Sequence, residues 1–132
     1  FGQENSILGF WKPENKDAII QIYKENDRYF GKVVKHKKKG VVSVPQKDIF
    51  ILQEFIFQKD EQIWNEGILY SPEREREFDA ELEINADGNL EVTVSIAFFS
   101  KNDADTFPGM HHNHLHWYCR FLCVGQHIHL PT

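Results

Sequence analysis

Histidine side chains are concentrated near the carboxyl end of the chain, in the stretch MHHNHLHWYC. If this stretch is extended, His112, His114 and His116 share one face, because alternate residues of a strand point the same way. Neutral imidazole nitrogens bind zinc in proteins at about 2.0–2.1 Å. His127 and His129 form a second His-x-His pair. One hypothesis is therefore a binding site for zinc or another divalent transition metal, built from both groups.

The same stretch also fits a strand with no metal. Its apolar residues alternate at Leu115, Trp117, Cys119 and Phe121, which is typical of a half-buried strand. The histidines would then lie on the solvent face or in the loop before the strand. Histidine motifs of this kind have many false positives. We therefore favour adventitious metal affinity and expect no cofactor, keeping the metal-binding protein as the alternative.

No set of residues in the sequence indicates a catalytic site. A cysteine nucleophile needs a nearby base, and His116 lies on the opposite strand face from Cys119. Ser71 stands before Pro72 and lacks the Gly-x-Ser-x-Gly elbow of serine hydrolases. The carboxylates alternate along wet strand faces. We therefore expect a protein without enzymatic activity.

Length and charge restrict the class of protein. The 132 residues suit one domain spanning residues 1–132. The formal net charge is −5, and the one basic run, Lys35 to Lys39, is interpreted as a solvated loop. Nucleic-acid binding is not expected, because it requires a clustered basic face. No apolar run approaches the roughly 20 residues that a transmembrane helix needs.

Apolar residues alternate with polar ones along most of the chain. The clearest example is EFDAELEI, followed by the turn NADG and then NLEVTVSIAF, a pattern that predicts a β-hairpin. The same alternation predicts about eight short strands joined mostly by tight turns. Such a series indicates an all-β, antiparallel, up-and-down barrel or a sandwich. An eight-stranded barrel encloses side chains or one small ligand.

Several motifs follow one another in an order that resembles a known family. These are GFW near the start, then YFGKVV, then WNEGILYSP and NLEV. They resemble the bacterial domain-of-unknown-function family 2147 (DUF2147), a group of small lipocalin-like barrels. The resemblance covers about residues 8–121 and leaves 122–132 as a carboxyl-terminal tail. The family's Asp-Pro is Ser71-Pro72 here, and its Gly-Lys is Glu75-Arg76.

The resemblance implies a mode of barrel closure and a location. In lipocalin-like barrels the first-strand tryptophan, Trp11 after Gly9, packs under an arginine of the closing strand, here Arg120. Such a pair gains cation–π energy and plugs one end of the barrel. Trp117 and Arg120 share a face only if a β-bulge lies between them. The resemblance also implies a secreted or periplasmic protein of the bacterial envelope.

The barrel interior is the remaining candidate site. If the strand registers are as expected, large aromatic side chains point inward, namely those of Phe30, Phe55, Phe57, Phe78 and Phe98. They either surround a small apolar ligand or fill the interior completely, and the sequence leaves both alternatives open. The aromatic content is also compatible with an oligomer formed through an exposed barrel face.

Overall fold

The computed structural model describes residues 3–14, 17–38, 40–72, 75–95, 111–113 and 116–125. These residues form one antiparallel sheet preceded by a 3₁₀ turn at Gln3–Asn5. The strands are β1 (Gly9–Pro13), β2 (Ala18–Glu25), β3 (Arg28–Lys38), β4 (Val41–Ser43), β5 (Phe50–Gln58), β6 (Ile63–Ser71), β7 (Arg76–Ile84), β8 (Leu90–Ser95), β9 (His111–Asn113) and β10 (His116–Gly125). In the described ranges, no helix is long and apolar enough to span a bilayer.

Eight of these strands close into a barrel, which confirms the fold predicted from the sequence. Their order is β1-β2-β3-β5-β6-β7-β8-β10, and β10 pairs back onto β1. In this closing pair Trp11 lies opposite Cys123, and Pro13 lies opposite Phe121. The short strands β4 and β9 extend β3 and β10 beyond the ring. The solvated loop predicted at Lys35 to Lys39 is wrong in part, because β3 continues through Lys38.

The hairpin of β7 and β8 shows how the sequence pattern becomes structure. Buried and exposed side chains alternate along β7, with the acidic residues on the wet face. The Asn85 carboxamide oxygen accepts hydrogen bonds from the backbone amides of Asp87 at 2.9 Å and Asn89 at 3.0 Å. Gly88 completes the turn at a φ of 83°, where a side chain is disfavoured. The predicted turn and both strands are therefore confirmed over the described residues.

Aromatic side chains form the centre of the core. The Tyr29 ring meets the Trp64 ring edge to face, with centroids 6.3 Å apart, and the Phe57 ring lies 5.0 Å from Trp64. Phe55 is fully buried beside them. Smaller aliphatic residues complete the buried cluster, including Ile20, Ile22, Leu52, Leu69, Leu82, Leu90, Val92 and Val94.

The structure explains why one of the sequence motifs has a glycine at position 67. A β-carbon placed on Gly67 would lie 2.5 Å from Cγ of Phe55 and 2.6 Å from the carbonyl oxygen of Gln53. The preceding residue, Glu66, has a φ of 60°, and the register between β6 and β7 shifts between Trp64 and Gly67. This bulge brings the β6 backbone against the Phe55 ring, which leaves no room for a side chain.

Candidate functional site

The two ends of the barrel are built differently. The connections from β2 to β3, β5 to β6 and β7 to β8 are short turns, and we call their end the closed end. The opposite end, which we call the open end, has the two longest connections, from Lys38 to Phe50 and from Ser95 to His116. Its other connections join Pro13 to Ala18 and Ser71 to Arg76.

Residues 3–8 cover the closed end, and we call them the N-terminal seal. The indole nitrogen of Trp11 donates to the carbonyl oxygen of Ile7 at 2.8 Å. Trp64 donates likewise to the carbonyl oxygen of Glu4 at 3.3 Å. The Tyr29 hydroxyl hydrogen-bonds the carboxamide oxygen of Asn5 at 3.2 Å. Three strands thus hold the seal through aromatic donors, and the Ile7 side chain is fully buried.

Electrostatics at the seal favour a neutral Tyr29. Burial raises the pKa of the Tyr29 phenol, the Glu4 carboxylate raises it further, and the nearby Lys24 ammonium opposes both effects. Lys24 Nζ lies 5.5 Å from the Tyr29 ring centroid and 4.0 Å from a Glu4 carboxylate oxygen. The phenol therefore keeps the proton that it donates to Asn5.

The interior near the open end is mostly apolar. Leu52, Leu69 and Val94 are buried there. Ser71, at the end of β6, is the buried polar residue among those described. It lies opposite Arg76, whose guanidinium carbon is 4.9 Å from the centroid of the Phe78 ring. The open end thus combines an apolar wall with polar groups at its rim.

The predicted interior phenylalanines fall into three groups. Phe55 and Phe78 are buried in the core, and Phe57 packs against the core as a half-buried residue. The prediction for Phe30 is wrong: Phe30 stacks on Tyr23 with centroids 5.7 Å apart. Phe30 faces outward because its neighbours on both sides are buried, and sides alternate along a strand. Phe98 lies outside the described residues.

Barrel closure is achieved by the predicted strands but not by the predicted side-chain pair. β10 pairs with β8 without a register shift from His116 to Phe121, so no bulge separates Trp117 from Arg120. Arg120 therefore points away from buried Phe121, and its guanidinium lies 3.4 Å from a Glu14 carboxylate oxygen. The expected stacking of Arg120 on Trp11 is wrong.

The N-terminal seal takes the role that the resemblance assigned to Arg120. Trp11 is buried and donates to Ile7. Gly9 begins β1 at a φ of 137°, a conformation that L side chains rarely adopt. This glycine lets the chain pass from the seal into the first strand. The side chain of Trp117 lies outside what the structure describes.

The histidine stretch is a hairpin and not one extended strand. Asn113 pairs with His116, and His112 pairs with Trp117, so the chain reverses direction between β9 and β10. The expectation that His112, His114 and His116 follow one another along one strand face is therefore wrong. The histidine side chains, together with residues 114, 127 and 129, lie outside the description, so the metal site stays a prediction. Within the described residues, no group of three His, Cys, Asp or Glu side chains could hold a metal.

Comparisons with known proteins agree with the barrel. The model of a family described as "Uncharacterized protein conserved in bacteria (DUF2147)" matches residues 9–104. A solved structure of protein HP1028 from Helicobacter pylori, described as belonging to the lipocalin family, superposes with a TM-score of 0.60. That alignment covers 90% of this chain and 83% of the other at 10% sequence identity, so the likeness concerns the fold. Among functionally curated proteins, none matches the sequence.

Proposed function

We propose that this chain, which belongs to the DUF2147 family of bacterial proteins, is a non-enzymatic binding protein that takes a small apolar ligand through the open end of its barrel. One observation carries the proposal. The barrel is covered at one end by the N-terminal seal, and the two longest connections between its strands lie at the other end. A lipocalin-like barrel of this kind offers one entrance to an apolar interior.

The packing of the core limits where a ligand would lie. Trp11, Tyr29, Phe55 and Trp64 are buried and occupy the closed half. A ligand there would have to displace rings that hold the seal by hydrogen bonds. The aliphatic half near Leu52, at the middle of the sheet, is the better candidate. Burial of apolar surface, worth about 25 cal/mol per Å², would provide the affinity.

A binding role is better supported than catalysis. The buried side chains of the described residues are hydrophobic, with Ser71 as the polar one. The pKa of Tyr29 is raised, mainly by burial, but its hydroxyl is bonded to Asn5 within the seal. That arrangement suits structural closure, since a general acid or base must reach a substrate.

We include a periplasmic or secreted location in this proposal. Its support is the membership of a bacterial family, since the resemblance of the motifs to that family implies a location in the bacterial envelope. Fractionation of expressing bacteria tests it, with one periplasmic and one cytoplasmic enzyme as markers. Recovery of the full-length protein with the cytoplasmic marker alone would contradict this location.

Titration with the uncharged fluorescent probe N-phenyl-1-naphthylamine tests binding in the barrel. Val33 is half-buried and packs against the core from β3, so Val33→Trp fills interior space. Thr93 stands between two buried valines of β8 and faces outward, so Thr93→Trp is the matched control. We expect the wild type and the control to enhance probe fluorescence alike, and Val33→Trp to bind at least tenfold more weakly.

Thermal unfolding of each variant shows whether it is folded. Equal probe binding by a folded Val33→Trp variant and the wild type would exclude the interior site. Absence of probe binding by the wild type would contradict the proposed ligand class.

A further inference from the structure

Exposed valines are concentrated on one hairpin at the open end. Val41, Val42 and Val44 expose 65%, 47% and 50% of their surface, and Val124 is the other large hydrophobic residue found exposed in the described ranges. Single exposed apolar side chains are normal, but three exposed valines lie within four residues here, with Val41 and Val42 on opposite faces of β4. Residues 35–38 and 40–44, which hold the end of β3 and all of β4, are called the basic hairpin.

The basic hairpin has a charge opposite to that of the rest of the chain. Residues 29–47 include no Asp or Glu and six lysines, namely Lys32, Lys35, Lys37, Lys38, Lys39 and Lys47. The rest of the chain contains the other nine Lys and Arg residues and all twenty Asp and Glu residues. Positive charge is therefore separated from negative charge along the chain, and this favours one orientation on a negative surface.

A groove lies on the outer wall beside the basic hairpin. It has a volume of about 160 Å³, and Ile19 and Val42 contribute apolar side chains to it. Lys12, Lys35 and Lys37 line it as well. Asp17 is the one carboxylate among the lining residues. The groove surface is almost wholly apolar, so the three lysines line it through their methylene chains.

The hairpin is held in place by the barrel. The backbone amide of Lys37 donates to the carbonyl oxygen of Asp17 at 2.7 Å, and Val42 pairs with Lys37 across the two strands. The Ser43 hydroxyl lies 3.1 Å from the Nε2 nitrogen of His36. Val41, Val42, Lys35 and Lys37 are therefore presented by paired strands and not by a loose loop.

We propose that the basic hairpin and its groove dock the protein on a membrane surface rich in anionic phospholipid. Apolar side chains that enter the interfacial region and lysines that meet phosphate groups act together in peripheral membrane binding. A second copy of the chain fits this surface less well, because two lysine-rich hairpins would face each other. The inference is independent of ligand binding inside the barrel.

Vesicle flotation tests this docking with the full chain. One set of vesicles is phosphatidylcholine alone, and the other is phosphatidylcholine mixed with phosphatidylglycerol. We expect binding to the mixed vesicles, with weakening as salt is raised, because salt screens exposed charges. Lys35→Glu with Lys37→Glu should lower binding roughly thirtyfold or more, because two interfacial lysines contribute roughly 1 kcal/mol each. Separately, Val41→Ser with Val42→Ser should lower binding about tenfold, because apolar side chains that enter the interface are lost.

Matched controls lie away from the hairpin. Val124→Ser removes an exposed valine from β10, and Lys59→Glu reverses an exposed lysine in the turn between β5 and β6. Both controls should bind like the wild type. Because Val41 and Val42 are solvent-exposed, their double variant keeps the test valid even if the lysine variant does not fold.

Three results would overturn the docking proposal. The first is no binding, or equal binding to neutral and anionic vesicles. The second is an equal loss of binding in the control variants and the hairpin variants. The third is a wild-type dimer in light scattering that Val41→Ser with Val42→Ser abolishes without any vesicle binding, since that result assigns the surface to self-association.

Discussion

Gly67→Ala is the substitution whose effect the structure defines most sharply. The new β-carbon would lie 2.5 Å from Cγ of Phe55 and 2.6 Å from the Gln53 carbonyl oxygen. Carbon atoms normally pack about 3.5–4.0 Å apart, so these contacts are short by about 1 Å. Overpacking of a core costs about 1–3 kcal/mol and occasionally more. We expect a loss of about 3 kcal/mol, because a backbone oxygen cannot rotate away.

Two other glycines provide controls with different physical causes. At Gly31 the nearest atoms are side-chain carbons of Leu52 and Ile20 at 3.1–3.2 Å, so a shift of a few tenths of an ångström suffices. We expect Gly31→Ala to cost about 1 kcal/mol, the lower end of the overpacking range. Gly88 has open space around it but a φ of 83°, so Gly88→Ala should cost about 1–2 kcal/mol through backbone strain alone.

Urea unfolding followed by tryptophan fluorescence measures these differences as free energies of unfolding. A double-mutant cycle with Phe55→Ala separates the ring from the carbonyl oxygen. In the Phe55→Ala background, Gly67→Ala should cost about 1–2 kcal/mol less than in the wild type, because the Cγ contact is gone. Since Phe55→Ala alone costs about 3–5 kcal/mol, all four proteins are measured in the same stabilising sucrose concentration.

The contact distances predict an order of destabilisation for the three glycine substitutions, and experiment can contradict it. Gly67→Ala must be the most destabilising of the three glycine substitutions. If it costs no more than Gly31→Ala, the close approach of β6 to Phe55 does not exist in solution. If the cycle shows no coupling, the ring of Phe55 is not the atom group that Gly67 accommodates.

The remaining predictions concern the seal and the histidines. Ile7→Ala should lower the free energy of unfolding by about 2–5 kcal/mol, measured by urea unfolding, because the Ile7 side chain is fully buried under the barrel. A loss within about 0.5 kcal/mol, the range of ordinary surface substitutions, would show that the seal does not pack. The raised pKa of Tyr29 adds stability that is full below the ordinary phenol pKa of 10.0 and is lost as pH rises through the folded value. Tyr29→Phe should therefore reduce the alkaline loss of melting temperature. Tyr23→Phe should reduce that loss less, because Tyr23 lies on the outer surface and is less deeply buried than Tyr29; equal reductions would contradict the seal's role. Zinc added to untagged protein should leave the melting temperature of His112→Ala equal to that of the wild type, and a zinc-dependent rise confined to the wild type would establish the metal site.

The sequence predicted the strands and the ring, because alternation is a local signal that each strand carries in its own residues. The alternation around Phe78 and Leu82 and the turn at Asn85 needed no knowledge of distant contacts. The number of strands left a barrel or a sandwich open, and the resemblance to the DUF2147 family implied the barrel. Neither Gly67 nor the bulge beside it could be explained from the sequence, because the reason for the glycine is the ring of Phe55 on the neighbouring strand.

The wrong predictions concern the strand face on which a side chain lies and the residue that it contacts, because both depend on how neighbouring strands are aligned. Phe30 was assigned to the interior, but Tyr29 is the residue of that pair that points inward. Arg120 was expected to share a face with Trp117 through a bulge that β10 does not contain. The reversal between Asn113 and His116 was missed because histidines at every second position, His112, His114 and His116, fit an extended strand. A one-residue change of register exchanges inside and outside, and composition does not reveal it.

The seal and the basic hairpin lie at opposite ends of the same ring, and this arrangement relates the two proposals. The turn between β2 and β3 lies near Lys24 and the seal, at the closed end of the barrel. At the open end, β3 continues into the basic hairpin. Docking through Val41 and Val42 would therefore turn the open end toward the bilayer and the seal toward water. An apolar ligand could then pass between the membrane and the interior with little exposure to water, whose contact with apolar surface is costly. Probe binding in the barrel and vesicle docking should accordingly be separable by substitution, with Val33→Trp weakening only the first and Val41→Ser with Val42→Ser weakening only the second.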